Sequence, residues 1–98
     1  MEEIKKHISE IKTMMENHYY HLKYITESII QNKETNIHKI ELTLDMLLNC
    51  YYYVNEAKVS FFKLCDYLET LDKEAAIDYR EIFEQDFGEE LRLKKTSN

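Results

Sequence analysis

The sequence predicts an all-α protein: a long antiparallel helical hairpin of coiled-coil type with a shorter third helix, together making a helical bundle. Two observations carry this. Ile4, Ile8, Ile11, Met15, His18, Leu22, Ile25 and Ile29 follow an unbroken 4-3-4-3 spacing, which resumes after a polar break at Ile37, Ile40, Leu44, Leu47, Tyr51, Val54, Lys58, Phe61, Cys65 and Leu68. Stripes of that period belong to helices that pack knobs into holes. Proline is absent and glycine occurs once, so a sheet protein would lack its usual turn residues. The 98 residues suffice for one modest core, expected as a single domain over residues 1–93 with 94–98 as a mobile tail.

The first helix is expected over about residues 2–31, ending at the polar run Gln31-Asn32-Lys33-Glu34-Thr35-Asn36. Thr35 or Asn36 can cap the second helix by accepting a bond from an amide of its first turn. That helix is expected to run unbroken over about 36–71. Asp72 then suits the N-cap of a third helix, over about 73–87, with Glu74 placed where a carboxylate complements the helix dipole. Ala76, Tyr79, Phe83 and Phe87 share one face of it. Gly88 follows that face and is expected to close the helix in the left-handed conformation.

Helix lengths point to partners. A third helix folding back from Asp72 reaches only about as far as Ala57, which leaves the turn-proximal end of the hairpin with two helices. Ile25, Ile29, Ile30, Ile37, Ile40 and Leu44 would then form a bare apolar patch, and pairing with a second copy about a two-fold axis would cover it. A homodimer is therefore expected through these six residues. Other apolar residues fall off the seam: Tyr20 and Leu42 at heptad position f, Tyr24, Met46 and Tyr53 at c. Tyrosines concentrate where proteins meet, because a large apolar ring carries a hydroxyl that tolerates water. These five residues are the candidate surface for a protein partner.

Charge narrows the function classes. The net charge is −6, and residues 72–90 hold eight carboxylates against Lys73 and Arg80. An acidic chain with two arginines is poorly suited to gripping phosphates, so direct nucleic-acid binding is not expected. The same acidity makes a nucleic-acid mimic an alternative reading of the third helix. Lysine outnumbers arginine eleven to two, which reads as the imprint of an AT-rich genome, that of a low-GC bacterium, a phage or another mobile element. No basic-led apolar leader occurs, and no stretch approaches the ~20 apolar residues that span a bilayer. A cytoplasmic location without membrane association is the expectation. Cys50 and Cys65 would lie ~22 Å apart on one continuous helix, so both are expected as free thiols.

Little in the sequence has the spacing of chemistry. His18 and His21 sit at i and i+3 and could share a metal ion if a third ligand came from elsewhere, the basis of an alternative reading as a metal- or small-ligand-binding bundle. Metal sites in bundles use repeated Glu-x-x-His pairs, and none occurs. Neither cysteine follows a turn that would present its sulfur beside a histidine, and a single glycine excludes a phosphate-binding loop. The expectation is a non-enzymatic interaction module without cofactor, one that dimerises and binds a protein partner to regulate or inhibit it.

Overall fold

The computed structural model describes the backbone of residues 2–96 and the side chains of residues 8–88. Four helices follow in order, α1 (Glu2–Gln31), α2 (Ile37–Tyr51), α3 (Ala57–Leu71) and α4 (Lys73–Thr96), with no strand among the described residues. They form a helical bundle with extents of 48 × 32 × 19 Å. α3 lies at its centre and packs against each of the other three helices.

Local chemistry sets the first turn. The Lys33 N–H donates to the Ile30 carbonyl at 3.3 Å and the Glu34 N–H to the Ile29 carbonyl at 3.0 Å. This pair of bonds closes α1, with Lys33 at a φ of 54° in the left-handed position usually given to glycine. Asn36, not Thr35, caps α2: its side chain accepts from the Lys39 N–H at 3.3 Å.

The expected second helix is in fact two. It breaks at Tyr52–Glu56, where the N–H groups of Tyr53 and Val54 both donate to the Cys50 carbonyl. α3 then returns antiparallel to α2, and the Tyr67 hydroxyl donates to the Glu34 carbonyl at 2.7 Å, beside the loop from which α2 began. Burial explains the break. A continuous helix would keep Lys58 in the apolar stripe; the fold-back turns Lys58 to solvent and buries Phe61, Leu64, Cys65 and Leu68. Each large apolar side chain removed from water stabilises by ~1.5–3 kcal/mol. Giving up a few helical hydrogen bonds costs ~1 kcal/mol apiece, so folding back wins.

This path removes the patch expected to pair two copies. Ile29, Ile40 and Leu44 are buried in the chain's own core, while Ile25, Ile30 and Ile37 are half-buried and pack against it. α3 supplies the cover that a second copy was expected to supply. Phe61 stacks on Phe83 of α4 at 5.3 Å, while Ile8 stays exposed.

Asp72 caps α4 as expected, accepting from the Ala75 N–H at 3.1 Å. Ala76, Tyr79, Phe83 and Phe87 face the core, where the Phe83 ring lies 5.3 Å from Tyr51 and 4.7 Å from Phe62. Arg80 bridges back to α3, donating to Asp66 at 2.7 Å and Glu69 at 3.3 Å. Gly88 does not end the helix, which continues through it in ordinary helical geometry to Thr96. Phe87 packs on Tyr51 and Tyr52 and holds the turn before Gly88 in place. A glycine inside a helix costs only ~1 kcal/mol relative to alanine, too little to end a helix anchored in this way. Of the expected mobile tail, residues 94–96 are helical; Ser97 and Asn98 lie outside the described residues.

Among the described residues, one buried side-chain polar group is unsatisfied. The Thr26 hydroxyl, on the core face of α1, has no hydrogen-bond partner. Desolvating such a group without a partner costs ~1–3 kcal/mol, and a valine of the same shape avoids that cost. Thr26→Val is therefore expected to raise the urea midpoint with no change in the slope of unfolding free energy on denaturant. A lower midpoint would mean that the hydroxyl has a partner in solution.

Candidate functional site

The bend at Tyr52–Glu56 lies beside the middle of α1, and an open groove of about 550 Å³ runs between them. Lys12, Glu16, Tyr19, Tyr20 and Lys23 line it from α1; Tyr53, Val54, Asn55 and Glu56 line it from the bend. The helical period explains the α1 side, because residues 12, 16, 19, 20 and 23 fall on adjoining stripes of one face. Tyr19 and Val54 are buried at the base, whereas Tyr20 and Tyr53 stand 66% and 52% exposed. The Tyr19 and Tyr20 rings meet at 5.5 Å, tilted by 48°. The groove thus offers two accessible aromatic rings, an apolar floor and two charges of each sign.

Of the five residues singled out for partner binding, the structure brings Tyr20 and Tyr53 together in this groove. Tyr24, one helical turn beyond Tyr20, is 70% exposed and borders a separate hollow of about 170 Å³ between α1 and the start of α2, with Ile25, Glu34 and Lys39. Leu42 is exposed on the outer face of α2, and Met46 is half-buried against the core. Neither lines the groove. Lys12, Glu16, Lys23, Asn55 and Glu56 were missed from sequence, and no local signal could have found them, since the groove exists only because the chain bends without glycine or proline.

The chemistry-bearing residues remain apart. His18 is half-buried and His21 exposed. Among the described residues no group of three or more His, Cys, Asp and Glu side chains could hold a metal ion. Both cysteines are free and buried. The Cys50 thiol donates to the Met15 carbonyl at 3.5 Å. Burial raises its pKa and pushes that of Cys65 up to about 12, with the Arg80 charge only partly offsetting the effect. The reactive form of cysteine is the thiolate, which neither site favours. Tyr79 is also raised well above the ordinary tyrosine range, chiefly by burial and then by its 3.0 Å hydrogen bond to the Asp45 carboxylate.

None of the helices, over the described residues, is long and apolar enough to cross a membrane. No family model, curated protein or solved structure matches this chain.

Proposed function

We propose that this protein is a non-enzymatic interaction module that binds a protein partner through the Tyr20–Tyr53 groove and regulates or blocks that partner. The groove itself carries the reading: two exposed tyrosines flank an apolar floor, with Lys12, Lys23, Glu16 and Glu56 around it. Aromatic anchors in a recess rimmed by polar groups are the usual form of an interaction hot spot. A partner would insert an apolar side chain between the rings and set its charges against the rim. The raised thiol pKa values favour a binding role over nucleophilic catalysis. We place its action in the cytoplasm, where free thiols persist.

The test is quantitative capture from the source cells with wild-type protein and with the Tyr20→Ala, Tyr53→Ala double variant. Both side chains are exposed, so the variant is expected to keep its helical circular dichroism. One protein should be retained in stoichiometric amount by the wild type, with its affinity reduced at least ~30-fold by the double substitution if the two rings are hot spots. Retention unchanged by the substitutions would remove the groove from the interaction.

A further inference from the structure

We propose that the N-terminal half of α1 is a docking surface for a second copy of this chain, paired antiparallel with its midpoint between Ile8 and Ile11. This surface meets the groove at Lys12 and Glu16 but does not include its two exposed rings, Tyr20 and Tyr53, and it is distinct from the Ile29, Ile40 and Leu44 positions that the chain buries in itself. Among the described residues, Met15 is the first apolar side chain of α1 that packs on the core, and its carbonyl accepts from Cys50 near the end of α2. N-terminal to that point α1 continues as helix from Glu2, about 20 Å of rod at 1.5 Å per residue. Ile8 and Met14 are 62% and 60% exposed, and Ile11 is 42% exposed.

A helical segment this short is marginal in water on its own. It carries the first part of the heptad seam, where, among the described residues, Ile8 and Ile11 are left exposed. Such a seam calls for another helix.

Two features select a second copy as that helix. The seam positions in this stretch are 4, 8, 11 and 15, a 4-3-4 spacing that reads the same in both directions. An antiparallel copy therefore meets it in register, with Ile8 opposite the partner's Ile11 and Ile11 opposite the partner's Ile8. That arrangement is the self-complementary contact a two-fold axis requires. Charge points the same way: residues 2–14 hold three glutamates and three lysines, whereas the whole chain carries −6. Here two acidic chains can approach without net repulsion; along the acidic α4 they cannot.

Sedimentation equilibrium and disulfide trapping test this. The wild type should sediment at twice the 11.9 kDa chain mass, and Ile8→Lys and Ile11→Lys should each sediment at the chain mass with bundle helicity retained. The Tyr20→Ala, Tyr53→Ala variant should remain a dimer, so failure of the groove reading and failure of this one are distinguishable. Oxidation of an equimolar mixture of Ile8→Cys and Ile11→Cys chains should give mainly the mixed disulfide. A wild type at the single-chain mass, with the seam left to a heterologous helix, would overturn the proposal. So would lysine variants that stay dimeric, or disulfides that join like to like as a parallel pairing requires.

Discussion

Replacing Phe61 with alanine is expected to lower the unfolding free energy by about 3–5 kcal/mol, the range for deleting a buried aromatic side chain. Phe61 is essentially inaccessible and stacks on Phe83, with Phe62 edge-on at 5.4 Å. Phe83 in turn touches Tyr51 and Phe87, so this ring stands where α2, α3 and α4 converge. The cavity left by alanine would be lined by stiff aromatic rings that cannot collapse into it, which places the cost toward the upper end of the range. A smaller loss is expected from Phe62→Ala, because that ring is partly in solvent. Urea denaturation followed by circular dichroism measures both. Equal midpoints for the two variants would mean that α3 does not present Phe61 to α4 as described.

Leu44→Lys is expected to abolish the fold altogether. Leu44 is fully buried within α2, and an unpaired ammonium held there costs several kcal/mol on top of the lost apolar burial. Domains of this size are stable by only ~5–15 kcal/mol in total. The outcome separates two paths of the chain. In an open hairpin Leu44 would lie between copies, and the lysine would yield a helical monomer; in the observed bundle it destroys the core of a single chain. Leu42→Lys, two residues away on the exposed face of α2, is expected to change stability by no more than ~0.5 kcal/mol. Far-ultraviolet circular dichroism and amide proton dispersion in the magnetic resonance spectrum report on both variants. A cooperatively folded Leu44→Lys protein would contradict the burial of that residue.

The all-helical class, the course of α1, the cap at Asp72 and the inward face of α4 through Ala76, Tyr79, Phe83 and Phe87 were all legible in the sequence. Each depends on local physics: the period of apolar residues, the side-chain oxygen that reaches an amide in the next turn, and the scarcity of glycine and proline. Asn36 rather than Thr35 as the cap of α2 was one of two local possibilities, settled by which side chain reached the Lys39 amide. The continuation of α4 through Gly88 was already a tertiary matter, decided by Phe87 on Tyr51 and Tyr52.

The bend at Tyr52–Glu56 left only a faint mark in the sequence, the charged Lys58 within the apolar stripe. Ile40, Leu44 and Leu47, and Phe61, Cys65 and Leu68, lie on the apolar face of their helix whether the segment forms one helix or two. The choice rests on whether Phe61, Leu64 and Leu68 find Ile40, Leu44 and Leu47 of the same chain or wait for another, and intramolecular packing spares the entropy of association. That single decision buried Ile29, Ile40 and Leu44 of the expected dimer patch, brought Tyr53 beside Tyr20 to make the groove, and left Ile8 and Ile11 of α1 exposed. The sequence by itself therefore determined which residues are helical and which face of each helix is apolar. Which apolar faces meet was decided only in three dimensions, where burial is summed over the whole chain.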